Sequence, residues 1–172
     1  MEALKHFLWL NTDRCGAFFA NHVLLVEGPT EVALVNRLIR DGKVKNAECG
    51  LHVLDCLGKF NIHRFMNLLS KLGVSHAVIH DDDKDEGAHA EINRLIEDTK
   101  HPILTQCIKR IAGNLETMLG VPSAGEERRK PQHMLYQYES GKIEGSKLNA
   151  FCALVEECIP SNIVPDANPT IV

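Results

Sequence analysis

Two groups of acids in the 172-residue chain have the spacing to do chemistry. Glu27 ends the apolar run Val23–Val26, which His22 leads into, and Glu31 follows one helical turn later. Asp81, Asp82 and Asp83 close a second run, Ala77 to His80. Residues two apart in extended chain face the same way, which pairs Asp81 with Asp83 and turns Asp82 elsewhere. Like charges held close cost free energy unless a cation lies between them. Carboxylate oxygens suit a hard divalent ion, Mg2+ or Mn2+, that keeps some of its waters. No His or Cys spacing serves zinc. Taken singly, each acid also reads as a solvated strand end or a complement to a helix N-terminus. The joint arrangement favours a shared site.

The elements that must position these acids alternate. A strand ending at Glu27 runs into a helix opened by Pro29, with Val32, Val35, Leu38 and Ile39 as its apolar stripe. "GLHVLDC" reads as a second strand, and after "GKFN" a helix carries Ile62, Phe65, Met66, Leu69 and Leu72. The third strand ends at the aspartates. A polar helix over Gly87–Thr99, a fourth strand in "ILTQCIKRI" and a short helix in "NLETMLG" follow. Such alternation predicts right-handed βαβ units, a parallel sheet, and ligands at the carboxyl ends of its strands. The expected class is α/β: a Rossmann-like, mainly parallel sheet of about four strands flanked by helices. Beyond Pro122 the polar "PSAGEERRKPQHMLYQYESGKIEG" reads as a loop or irregular excursion. A last amphipathic helix spans roughly Ser146 to Cys158, and 161–172 reads as a tail. The expected division is a lead-in over 1–20, a core over 21–120, an extension over 121–160, and that tail.

Composition narrows the classes. With 44% hydrophobic and 24% charged residues the chain is globular, and no apolar run approaches the ~18 residues of a membrane span. No signal peptide is read at the N-terminus, so a cytoplasmic location and reduced cysteines are expected. A net charge of −4 is unfavourable for meeting nucleic acid unaided. Arg128, Arg129 and Lys130 form the only dense basic stretch, which reads as a solvated loop that could touch phosphate. His76, His80 and His133 read as structural or solvent-facing.

"AFFANHVLLVEGPTE", Ala17 to Glu31, together with "DDD" after the third strand, resembles the TOPRIM nuclease domain of the OLD (overcoming lysogenization defect) family of ATP-dependent endonucleases. The resemblance extends over roughly Ala17 to Gly120. It implies a bacterial, divalent-metal-dependent DNA endonuclease in which Glu27, Glu31, Asp81, Asp83 and Glu116 bind two Mg2+ or Mn2+ ions. Asp81 would bridge both ions, with Glu27 and Glu116 on one and Glu31 and Asp83 on the other. Asn114 stands where a small polar ligand or water-holder is expected. A lysine near the start of the last helix would offset charge on the phosphate: Lys147, with Lys142 as second choice. The catalytic set is then Glu27, Asp81, Asp83 and Lys147.

The family also places an ABC-type ATPase ahead of this domain. No GxxxxGK[ST] occurs here, so ATP would act only through a domain outside this chain, which is expected to be a fragment of a larger protein. Phe7, Leu8, Trp9 and Leu10 read as the end of an element packed on that missing portion. DNA affinity is expected to depend on that portion or on a homodimer. The alternative from another class is a non-catalytic Mg2+-binding scaffold. A receiver-like domain is disfavoured, because receivers carry their acidic pair on the first strand and a lone Asp on the third. A topoisomerase would need a tyrosine in context, which Tyr136 and Tyr138 lack.

Overall fold

The computed structural model describes residues 12–47, 50–83 and 87–160. The expectations for Phe7–Leu10 and for the tail lie outside the described residues. After a short helix, Thr12–Gly16 (α1), the order is β1 His22–Val26, α2 Pro29–Arg40, β2 Leu51–Asp55, α3 Ile62–Lys71 and β3 His76–Asp81. Then come α4 Gly87–Asp98, β4 Thr105–Ile111, α5 Leu115–Leu119, α6 Lys130–Glu139 and α7 Gly145–Glu157.

The four strands form one parallel sheet in the order β2-β1-β3-β4. Every residue of β1 is buried, as a central strand covered on both faces requires. Its side chains alternate between two cores. Leu24 and Val26 join Ala77 and Ile79 of β3 under α2, α5, α6 and α7, while Val23, Leu25 and Val78 pack under α3 and α4. Strand order reverses between β1 and β3, so the crevice at their carboxyl ends is the switch point where ligands sit in such sheets.

One expectation fails. The stretch 122–145 is not an irregular excursion throughout: it contains a 3-10 turn, Glu127–Arg129, and the ten-residue α6. Pro131 sits in the first turn of α6, where its missing N–H costs nothing. Met134 and Gln137 face inward, Arg37 of α2 pairs with Glu139, and Tyr138 donates a 2.7 Å hydrogen bond to Asp41. Ile143, Phe151 and Val155 complete the same core as Leu24 and Val26. The hydrophobic pattern alone hides α6, because so few of its side chains are apolar and buried.

Candidate metal centre

Backbone register brings the strand-end acids together. Glu27 follows β1 directly, and its Oε1 accepts the Asp81 backbone N–H at 2.8 Å. Glu31, in the first turn of α2, folds back so that its Oε2 accepts the Gly28 N–H at 3.2 Å. Pairing of Asp81 with Asp83 by strand alternation does not hold beyond Asp81, the last residue of β3. The chain turns there, and Asp83 is left-handed with φ 50°, a conformation Asp tolerates better than most residues. Asp82 points away as expected: its Oδ1 accepts the Gly113 N–H at 2.8 Å, bolting the turn to the end of β4.

Glu116 comes from α5. Asn114 caps that helix by accepting the Thr117 N–H at 2.8 Å, and Gly120 ends it at φ 69°. Glu116 is buried, which is unusual for an acid in a first helical turn.

The acids sense one another. Burial first, then Glu27, Glu31, Asp83 and Glu116, push the Asp81 carboxyl up to about 8. Glu31 is pushed up to about 7 by burial, with Glu27 and Glu116 adding to the effect. Glu27 is also raised, mainly by burial. All five predicted metal ligands therefore share one electrostatic neighbourhood.

Sequence reasoning missed the cation in their midst. Lys59, 3% exposed, directs Nζ to the Asp81 carbonyl and, at 3.0 Å, to Asp83 Oδ2. The turn after β2 aims it there. Asp55 Oδ1 accepts the Leu57 N–H at 2.7 Å, and Gly58, at φ 98°, donates its N–H to the Glu27 carbonyl at 2.6 Å. Its visible signal was a lone lysine at the carboxyl end of β2, within what reads as a turn. His89 Nδ1 stands 3.0 Å from the same Asp83 oxygen.

Lys130 departs from the solvated loop that the sequence predicts. It opens α6, pairs with Glu127 at 2.8 Å, and lies near enough to Glu116 and Glu31 for both to raise its pKa behind that hydrogen bond. Arg128 and Arg129 are exposed and share Glu126.

The two candidate lysines separate. Lys147 lies across Gly120, where a Cβ would come within 3.2 Å of its Cδ and Cε, so its contact is with the end of the Glu116 helix. Lys142 instead reaches Tyr136, Nζ to Oη 3.3 Å. His80 is buried, donates Nδ1–H to the Asp81 carbonyl at 2.8 Å, and is held neutral by burial, with a pKa lowered to about 4.

Does this donor set fit a divalent ion? In kind it does: carboxylates from two strand ends and two helices, with Glu27, Glu31 and Asp81 raised by burial and by like charge nearby. In spacing the acids are not drawn in. Among the described residues no three His, Cys, Asp or Glu side chains already stand as a group that could hold an ion. Glu27 and Glu31 are each tied to a backbone N–H and Asp83 to Lys59, and ligation would draw on those oxygens.

Comparison with known proteins bears on this edge of the sheet. A family model described as "Overcoming lysogenization defect protein-like, TOPRIM domain" matches residues 18–83, which include Glu27, Glu31, Asp81 and Asp83. No curated protein matches. Among solved structures, the iodine-phased C-terminal region of the Xanthomonas campestris pv. campestris OLD protein is 17% identical, with 81% of this chain and 82% of that one covered and a TM-score of 0.43. The platinum-phased structure of that region is 19% identical over 82% and 72%, TM-score 0.44. The C-terminal region of the Burkholderia pseudomallei OLD protein is 13% identical over 82% and 92%, TM-score 0.39.

Proposed function

We propose that this chain is the catalytic part of a divalent-metal-dependent DNA endonuclease, a reading supported by the match of residues 18–83 to an OLD-like TOPRIM domain. The observation that carries the reading is the raised Asp81 carboxyl, at about 8, with Glu27, Glu31, Asp83 and Glu116 around it at the switch point of a parallel sheet. Such repulsion in a partly open crevice is what cation binding relieves.

The electrostatics favour a different grouping from the one the resemblance implies: Glu27 with Asp83 would serve one ion and Glu31 with Glu116 the other, with Asp81 available to both. Bound Mg2+ or Mn2+ supplies a low-pKa water and Lewis acidity toward a phosphodiester. The chain supplies the rest. The Asp81 N–H orients Glu27, the Gly28 N–H orients Glu31, and Lys147 over Gly120 brings a cation toward the phosphate. Arg128, Arg129, Gln132, His133 and Tyr136 line one open groove beside α6, a surface suited to a DNA backbone. An ATPase domain outside this chain, a DNA substrate and a homodimer belong to the same proposal. Among the described residues no helix is long and apolar enough to cross a membrane.

A second reading has one observation in its favour. Lys59 already neutralises part of the cluster, as it would in a purely structural ion network of a non-catalytic scaffold. Supercoiled plasmid incubated with the chain in Mg2+, Mn2+, Ca2+ or EDTA separates the two. The nuclease reading expects relaxed or linear product with Mg2+ or Mn2+ and none in EDTA. Cleavage that persists in EDTA, or survives Asp81→Ala and Asp83→Ala, contradicts it.

A further inference from the structure

Lys59 has the environment of a counter-ion. An ammonium is rarely buried, and burial is costly unless acceptors replace its water. Here the side chain is 3% exposed, and its acceptors are the Asp81 carbonyl and Asp83 Oδ2. Both belong to the DxD turn. The lysine also stands close enough to Glu27 to favour that carboxylate's charge. It thus acts on two of the five acids assigned to the ions, Asp83 and Glu27, meets Asp81 through its backbone carbonyl, and takes a carboxylate oxygen that an ion would use.

We propose that Lys59 is a resident counter-ion of the acid cluster, competing with a divalent cation for Asp83 and leaving that oxygen when the cation binds. The inference rests on the metal-site reading above. Charge requires the competition: an ammonium and a divalent ion sharing one carboxylate repel, and each lowers the site's affinity for the other by the same factor. Lys59 also holds the like charges together, so the fold does not depend on a metal ion to close this edge. Gly58 makes this placement possible, since its φ of 98° is what turns the next residue inward.

The test uses Mn2+ and two variants, read by calorimetric titration and by thermal melting in chelator. Lys59→Met keeps length and apolar packing but removes the charge, whereas Lys59→Arg keeps the charge. Lys59→Met is expected to melt lower than wild type in chelator and to bind Mn2+ roughly tenfold or more tightly. Lys59→Arg should stay close to wild type in affinity. Equal or weaker Mn2+ binding by Lys59→Met overturns the competition and leaves Lys59 as a brace of the turn. Should Lys59→Met not fold, the wild-type chain decides. Acetylation of Lys59 by an amine-reactive ester, followed by mass spectrometry, should be slow in chelator and several-fold faster in saturating Mn2+. An unchanged rate rejects displacement. If Mn2+ binds neither wild type nor variant, the metal-site reading falls and the competition with it. Binding of equal strength to both removes the competition alone.

Discussion

The two ends of the sheet handle buried polar groups in opposite ways. At the amino end, His22 Nε2 donates to the Cys158 carbonyl at 2.8 Å and its Nδ1 accepts from Ser75 at 2.9 Å. His76 donates from Nδ1 to the Val74 carbonyl at 3.0 Å and accepts the Thr105 hydroxyl at 2.9 Å. Each ring nitrogen has a partner and each imidazole is held neutral, His22 by burial that lowers its pKa to about 4. At the carboxyl end, carboxyls of one sign crowd together, and the cations among them number fewer than the charges they face. A satisfied network stiffens a fold, whereas an unsatisfied one is retained where it does chemistry. The same strands carry both, so the difference lies in side chains and not in backbone.

The sharpest break of this comparison is activity. Asp81→Ala or Glu27→Gln should lower Mn2+-dependent nicking by roughly 10²- to 10³-fold while the protein remains folded. Either change should also abolish the rise in melting temperature that saturating Mn2+ produces in the wild type. His22→Ala at the other end should leave nicking by the folded fraction unchanged. A folded Asp81→Ala protein that nicks at the wild-type rate would make the two ends equivalent.

Next in size is Lys147. Replacing it with Ala should reduce cleavage by roughly 10²-fold with Mn2+ affinity kept or tightened, and Lys142→Ala should do little. If Lys142 proves essential and Lys147 dispensable, the cation reaching the phosphate comes from the Tyr136 side instead. Stability reverses the ranking. His22→Ala leaves the Cys158 carbonyl without its partner in the core and the half-buried Ser75 hydroxyl without its own, and should cost about 2–4 kcal/mol in denaturant unfolding. Asp81→Asn should stabilise the protein in chelator at pH 8 by removing a repelled charge. A destabilised Asp81→Asn protein would mean that its carboxylate is structural.

The smallest effect is the shape of the pH profile, where the buried histidines, His22 at one end and His80 at the other, carry the opposite sign to the carboxyls. His22 has its pKa lowered in the fold from 6.5 to about 4, so between those values the unfolded chain binds more protons and stability rises with pH. Asp81 is raised from 3.8 to about 8 and Glu31 from 4.5 to about 7, so over those ranges the folded chain binds more protons and stability falls with pH. The two oppose each other below about 6.5, and from there to about 8 only the carboxyls act. In chelator, stability should therefore fall between pH 6.5 and 8, and Asp81→Asn or saturating Mn2+ should flatten that fall. A rising slope in this range would contradict the raised carboxyls.

What was legible in the sequence is what local pattern controls. The run Val23–Val26, the proline opening α2 and the aspartates after β3 announce strand, helix and carboxyl edge, because burial and turn chemistry leave direct marks. Lys59 left none. Its role depends on the positive φ of Gly58 and on a hydrogen bond from Gly58 to Glu27, both consequences of tertiary packing. Lys130 was obscured in a related way, since α6 buries so little apolar surface that its register, and hence the placement of its first residue near Glu116, does not show in hydrophobic periodicity. Gly120 looked like a helix stop, which it is. That it also makes room for Lys147 is a contact between segments far apart in sequence.

Whether these carboxylates form one divalent-cation site is decided by calorimetric titration of Mn2+ into chelator-treated wild type and Asp81→Asn. Saturable Mn2+ binding to the wild type, lost in Asp81→Asn, is expected. Wild-type affinity in Asp81→Asn, or no binding to either protein, would contradict it.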